Sequence, residues 1–74
     1  MARLTPGKHY RLNGFATGCD SHYRHKLLAM GFVPGTEFEA LRVAPLGDPV
    51  ELRIKGFLVS LRQREIDLLR VEEL

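Results

Sequence analysis

The sequence predicts a mainly β fold, a small five-stranded barrel with one amphipathic helix and one short helical turn. Two observations support this prediction: apolar and polar residues alternate in short runs separated by Gly and Pro, and one segment alone has helical spacing. In one run the alternation slips by one residue, which indicates a bent strand of the kind a barrel needs. The chain has 74 residues, so we expect a single domain over residues 1–74 with one small core.

The first strand is predicted over about residues 8–14, and the helix over about residues 20–30. Asp20 or Ser21 is expected to cap the start of the helix, because both side chains can accept a hydrogen bond from a free backbone amide. The predicted apolar stripe of the helix has the spacing i, i+4 and i+7 and consists of Tyr23, Leu27 and Met30. This stripe should face the barrel.

The stretch LLAMGFVPGT at positions 27–36 ends the helix and prepares the next strand. Gly31 stands where a helix commonly stops on a residue in the left-handed conformation. Pro34 and Gly35 fit the two central positions of a type II turn. The chemistry of this stretch is therefore conformational and not catalytic.

Three further strands and a connecting loop are predicted from the middle of the chain. The strand at 36–44 changes its inward parity near position 40, which indicates a β-bulge or a sharp bend. Residues 44–49, APLGDP, should form a stiff loop, since proline cannot continue a strand ladder. Two antiparallel strands are expected at 50–55 and 57–62, on either side of a glycine.

The last part of the chain predicts one helical turn and one short strand. The turn, at about residues 62–67, should bury Ile66. Leu69 and Val71 then belong to a strand that closes the barrel.

Composition limits the location of the protein. Hydrophobic residues make up 45% of the chain, yet no apolar run approaches the roughly 20 residues that a membrane span needs. The polar start of the chain has no secretory pattern, and a single cysteine cannot form an internal disulfide. We expect a cytoplasmic protein that reaches a membrane only through a partner, without inserting into it.

No catalytic constellation is visible in the sequence. Ser21 and Ser60 lack a convincing histidine and acid set, and no glycine-rich phosphate loop is present. The acidic residues are scattered on strand faces that should point to solvent. The protein is therefore not expected to be an enzyme.

One group in the sequence has metal-ligand character, namely Cys19, His22 and His25. Residues three apart on a helix share a face, so both imidazoles should point the same way, with the cysteine just before the first turn. A thiolate and two imidazoles suit zinc, copper or ferrous iron, although a closed zinc site needs a fourth ligand. A transition-metal site is thus one hypothesis, and solvated side chains on the polar helix face are the simpler one. No cofactor is required.

Nucleic acid is not expected as a partner. The net charge of +2 is too balanced to mark a nucleic-acid surface, although a basic set exists in Arg53, Lys55, Arg62 and Arg64. Stacking aromatics would have to accompany such a set. The residues with predicted inward parity are Tyr10, Tyr23, Phe38 and Phe57, which leaves Phe15 as the stacking candidate.

Apolar residues that the pattern leaves facing outward are more informative. Leu28, Leu46 and Leu58 are expected outside the core and together predict a patch that receives a protein partner. The alternative is that Leu28 and Leu58 pack against each other where the helix covers the barrel.

Three stretches of the sequence match a known family: LLAMGFVPGT at 27–36, RVAPLGDPVELRIKG at 42–56, and LR at 61–62. Together they resemble the ferrous iron transport protein A family, FeoA, over nearly the whole chain. The combination of MG, PGT and APLGDPV at this spacing is much rarer than any one part. The same fold is similar to the carboxy-terminal domain of iron-dependent and manganese-dependent repressors of the diphtheria toxin repressor type.

The resemblance implies a cytosolic barrel of the Src homology 3 (SH3) type that regulates FeoB, the membrane ferrous iron permease with a cytosolic G-protein domain. Iron then passes through the partner. The residues expected to contact FeoB lie outside the core: Leu28, Met30, Phe32, Leu46, Asp48 and Leu58. The group of Cys19, His22 and His25 is not part of the family motif. The alternative is a metal-responsive or nucleic-acid-binding module on the same barrel, and self-association as a homo-oligomer stays open.

Overall fold

The computed structural model describes residues 3–74, and these form five strands and two short helices. In chain order the elements are β1 (His9–Phe15), α1 (Ser21–Ala29), β2 (Glu37–Val43), β3 (Val50–Ile54), β4 (Phe57–Leu61), α2 (Gln63–Ile66) and β5 (Leu69–Glu73). All neighbouring strands are antiparallel, and the order in the single sheet is β4-β3-β2-β1-β5. The predicted fold class is confirmed.

Two irregularities bend the sheet. The register of β2 against β3 shifts between Ala40 and Arg42, where the sequence predicts a bulge. A second shift lies between Leu12 and Gly14, where β1 pairs with β5, and the sequence pattern does not predict it. Bulges increase the local twist of a strand, so the two together allow one sheet to curve around a core.

The core fills the concave side of the sheet and is almost entirely apolar. Its buried members are Leu4, Tyr10, Leu12, Leu27, Phe32, Phe38, Ala40, Val50, Leu52, Ile54, Leu61, Ile66 and Leu69. Aromatic rings form its centre: Phe38 stacks with Tyr10 at 5.8 Å and meets Phe32 edge to face at 5.7 Å between ring centroids. The buried phenol oxygen of Tyr10 accepts a hydrogen bond from the Thr5 amide at 2.7 Å, so its polar end is satisfied.

The residues that begin and end α1 are those that the sequence predicts. Asp20 caps the helix, because its Oδ1 accepts a hydrogen bond from the Tyr23 amide at 3.0 Å. Gly31 follows the helix at a φ of 101°, in the left-handed region that glycine adopts without strain. The turn around Pro34 and Gly35 closes with a hydrogen bond from the Thr36 amide to the Val33 carbonyl. Of the predicted apolar stripe, Leu27 is fully buried, Met30 is half-buried and packs against the core, and Tyr23 is half-buried.

A single carboxylate links the two helices. Glu65 in α2 is buried, and its side chain accepts hydrogen bonds from the Arg62 amide at 3.0 Å and from Lys26 Nζ at 3.2 Å. Burial alone would raise the pKa of Glu65, but these two hydrogen bonds and the charges of Lys26 and Arg64 hold the pKa below its ordinary value. The short α2 also buries Ile66, as the sequence predicts.

The sheet has two edge strands, β4 and β5. The last strand lies where the sequence predicts it, but it pairs with β1. Among residues 3–74, β4 therefore has β3 as its one sheet neighbour. Consecutive strands of the chain, joined by α2, thus form the two opposite edges of the sheet. These edges differ strongly in the side chains they carry.

Candidate functional site

Exposed apolar side chains lie on β4 and on the loop before β3. Leu46 is 96% exposed, Phe57 is 72% exposed and Leu58 is 64% exposed. We call the strand Phe57–Leu61 the β4 edge. These three exposed side chains are candidates for contact with a partner.

Phe57 and Leu58 lie on opposite faces of the β4 edge. Leu58 stands opposite Arg53 on the outer face of the sheet, as its parity predicts. Phe57 stands opposite the buried Ile54 and has inward parity, yet the core does not extend to its position. Phe57 therefore has the predicted inward parity, but its side chain is exposed. Its place beside the tight turn at Lys55 could have indicated that the strand runs past the core there.

Leu46 is the tip of a loop that is held rigidly. The Gly47 amide donates to the Ala44 carbonyl at 2.7 Å, and the Ala44 amide donates to the Pro49 carbonyl at 3.0 Å. These bonds and the two prolines restrict the backbone conformation of the loop on both sides of Leu46. Beside the loop lies a groove of about 400 Å³. It is lined mainly by Arg42, Glu51 and Ser60 of neighbouring strands and by Pro45 and Pro49 of the loop.

Asp48, predicted as a partner contact, is exposed but already has two protein partners. Its Oδ1 accepts a hydrogen bond from the Gln63 amide at 2.8 Å, and its Oδ2 lies 3.7 Å from Arg62 Nη1. The carboxylate therefore ties the loop to the start of α2. In this arrangement Asp48 positions Leu46 and is not itself an unoccupied contact group.

The residues predicted at the helix exit do not share one environment. Phe32 is 0% exposed and lies in the aromatic core, so the prediction that it lies outside the core is wrong. Met30 is half-buried and packs against the core, and Leu28 is half-buried on α1. The turn after Gly31 directs the chain inward, which brings Phe32 under the sheet. The exposed apolar residue near this exit is Val33, which sequence reasoning missed.

The predicted metal group is not assembled. Cys19 is buried, and its Sγ lies 3.7 Å from the Asp20 carbonyl oxygen, whereas His22 and His25 are exposed on α1. Within residues 3–74, no three His, Cys, Asp or Glu side chains are placed to hold a metal ion. The prediction that Cys19 shares the polar helix face is wrong, because the turn before α1 points its side chain into the protein.

The basic set of the later strands is partly neutralised. Arg53 Nη1 lies 3.4 Å from Glu39 Oε1, and Arg62 pairs with Asp48. The stacking candidate Phe15 is half-buried and packs against the core. The arrangement that nucleic-acid stacking would need, an exposed ring among unpaired basic groups, is not found at Phe15.

In the part of the chain that the structure describes, no helix is both long enough and apolar enough to cross a bilayer.

The fold and the uncharged β4 edge together define a class of small SH3-like barrel domains that present an apolar sheet edge. A family model described as the FeoA domain matches residues 1–73. The chain belongs to the FeoA domain family.

Similar proteins include a Fe(2+) transport protein A/Fe(2+) transporter FeoB fusion protein of Porphyromonas gingivalis, 42% identical over 50 residues. Among solved structures, iron(II) transport protein A from Clostridium thermocellum is 43% identical over 97% of this chain, with a TM-score of 0.89. A FeoA-like protein from Clostridium acetobutylicum is 35% identical over 97% of this chain and 81% of its own, with a TM-score of 0.86. The chain spans 6% of the fusion protein's length and 43% of the Clostridium thermocellum chain.

Proposed function

We propose that this protein is an accessory and regulatory component of ferrous iron uptake, which acts by contact with the cytosolic region of the permease FeoB. The observation that carries the proposal is the fusion protein of Porphyromonas gingivalis, whose name joins an Fe(2+) transport protein A with the transporter FeoB. In this proposal iron passes through the permease, and the barrel contributes a binding surface. No catalytic step and no bound metal is assigned to the barrel.

The fusion supports a contact for a physical reason. Two modules in one chain meet at an effective concentration in the millimolar range when the linker is short and flexible. Regulation by contact depends, in addition, on an interface between the two modules. Such interfaces are commonly anchored by a few apolar side chains that become buried. The best candidates here are Phe57 and Leu58 on the β4 edge and Leu46 on its braced loop.

The proposal predicts that Leu58→Glu weakens binding to the cytosolic region of FeoB by about tenfold or more. Burying a carboxylate in an apolar contact costs more than a factor of ten in affinity unless a partner group pairs with it. Isothermal titration calorimetry with the purified cytosolic region measures this loss. Leu74→Glu is the matched control, because it makes the same change at another exposed leucine, beside the opposite sheet edge.

Two outcomes would contradict the proposal. One is the absence of detectable binding by the unaltered protein, and the other is equal weakening by Leu58→Glu and Leu74→Glu. Nucleotide hydrolysis by FeoB, measured with and without the barrel, then gives the direction of regulation. An effect that the unaltered protein produces and Leu58→Glu does not would assign the regulation to this surface.

A further inference from the structure

We propose that the β4 edge is a strand-addition site, on which an extended acidic segment of FeoB's cytosolic region pairs with Phe57–Leu61 through backbone hydrogen bonds. This inference rests on the proposed function and specifies the form of the contact. The segment would become the sixth strand of the sheet, next to β4.

The hairpin geometry shows which backbone groups are available. Lys55 and Gly56 form a two-residue turn with φ values of 51° and 83°, as in a type I′ hairpin. The flanking pair, Ile54 and Phe57, therefore exchanges backbone hydrogen bonds, and the bonding alternates along the ladder. The amides and carbonyls of Leu58 and Ser60 then point away from β3.

These outward groups are accessible. Leu58 and Ser60 are both exposed. In the part of the chain that the structure describes, neither amide donates to a backbone carbonyl outside the sheet. A row of free donors and acceptors on an exposed strand is a template for pairing with another strand.

The β4 edge lacks the features that normally prevent such pairing. Natural edge strands carry charged residues, proline, bulges or a covering element. The sequence of β4 is FLVSL, with no charge and no proline, and its register with β3 is regular. A bare edge of this kind is open to pairing with another strand, and a dedicated partner would cover it.

Charges at the β4 edge select the partner. Lys55 precedes the strand. Arg62 follows the strand and pairs with Asp48, and Arg53 stands opposite Leu58 and pairs with Glu39. In an antiparallel pair of two β4 strands, Lys55 of one copy would approach Arg62 of the other, and like charges across a ladder are destabilising. An acidic segment would instead meet Lys55, which has no ion pair in the described structure, at the start of the strand. Its apolar side chains would contact Leu58 on one face and Phe57 on the other.

The acidic strand β5 of a second copy is a weaker candidate for this position. Glu72 is already paired with Arg11 at 3.1 Å, which leaves Glu73 as the one acidic side chain of β5 without an ion pair in the described structure. Charge complementarity therefore favours a segment from a different protein. Pairing with a second copy is one of the outcomes that the experiment separates.

The test removes one backbone donor and keeps the side chains of Phe57 and Leu58. Ser60→Pro deletes an amide that points away from β3, at an edge position where proline is tolerated. Ser60→Ala is the matched control, because it removes the hydroxyl and keeps the amide. We expect Ser60→Pro to weaken binding of the FeoB cytosolic region about tenfold or more, and Ser60→Ala to change it less than about twofold, by titration calorimetry.

A second measurement uses the unaltered protein and does not depend on how a variant folds. Amide hydrogen exchange with and without the FeoB cytosolic region should slow at Leu58 and Ser60 on binding. If FeoB binds while these amides stay unprotected and Ser60→Pro binds normally, strand addition is overturned and the proposed function stands. If the unaltered protein does not bind FeoB, both fail. Protection that rises with the concentration of the chain alone identifies a second copy as the occupant and also overturns the inference.

Discussion

The two edges of the sheet carry opposite kinds of side chain. The β4 edge is FLVSL, without a charge, whereas β5 is LRVEE, with three charged residues in five. Two of the β5 charges have partners within the barrel: Arg70 Nη2 donates to Thr17 Oγ1 at 3.0 Å, and Glu72 pairs with Arg11 at 3.1 Å. The β5 edge is therefore protected by its own charges. The two edges therefore differ in their protection against strand pairing, and the proposed partner site lies at the unprotected edge, β4.

The two edges are consecutive in the chain, and α2 is the link that separates them. Glu65 fixes this link by bonding to the Arg62 amide and to Lys26 of α1. Asp48 fixes it from the other side through the Gln63 amide. The connection between the edges, whose helix has four residues, is thus anchored by side-chain hydrogen bonds to other parts of the chain.

The largest expected effect is the difference in stability between truncating a buried and an exposed side chain of β4. Leu61→Ala should reduce the free energy of unfolding by about 2–4 kcal/mol, because Leu61 is fully buried and its truncation leaves a cavity. Leu58→Ala, the same change at the exposed face of the same strand, should cost less than about 0.5 kcal/mol. Urea unfolding of both variants measures the difference. A large loss in Leu58→Ala would mean that Leu58 is needed for folding, and it would weaken the case for a free edge.

An intermediate effect is expected at the link between the edges. Glu65→Gln should lower the free energy of unfolding at neutral pH by about 1 kcal/mol, since the amide keeps an acceptor for the Arg62 amide but loses the charge that pairs with the half-exposed Lys26. Glu73→Gln is the control at an exposed carboxylate.

The same carboxylate predicts a pH dependence. The pKa of Glu65 in the folded protein lies below its ordinary value of 4.5, so its stabilisation is complete above pH 4.5 and is lost as the pH falls through the folded pKa. Unfolding curves of the unaltered protein and Glu65→Gln should therefore converge in acid. A constant difference between the two down to pH 2 would contradict this assignment.

The smallest change in stability is expected from a variant that makes the two edges more alike. The double variant Glu72→Val with Glu73→Val removes two of the three charges of β5. It should alter the free energy of unfolding by less than about 0.5 kcal/mol, because both side chains are exposed. Its self-association should nevertheless increase, as measured by sedimentation velocity over a range of concentrations. If the variant stays as monomeric as the unaltered protein, charge is not what protects β5.

Much of the local structure could be predicted because it depends on residues close in sequence. Gly31 ends α1 and Gly35 completes the following turn, since both backbone conformations favour glycine. The bulge near position 40 follows from a slip in alternation that is visible in the sequence. Leu58 was expected to face outward by parity alone, and the structure places it there.

The features that the sequence did not predict concern positions whose environment depends on distant parts of the chain. Phe32 is buried because the turn after α1 carries it under β2, and Phe57 is exposed because the core ends before the β3–β4 turn. Cys19 is buried although it adjoins a polar helix. The ion pair between Glu65 and Lys26 joins residues 39 positions apart, and no local pattern indicates it.

The sequence by itself determined the type and order of the elements, the turns between them and the bend in β2, because these depend on backbone preferences and on side-chain alternation within a few residues. Only the tertiary structure decided which strands are the edges of the sheet. That assignment depends on β5 returning to pair with β1 across more than 50 residues of chain, and it leaves the uncharged β4 as the open edge. The candidate binding surface is therefore a consequence of strand pairing, and the residues of β4 acquire their role from their position in the sheet.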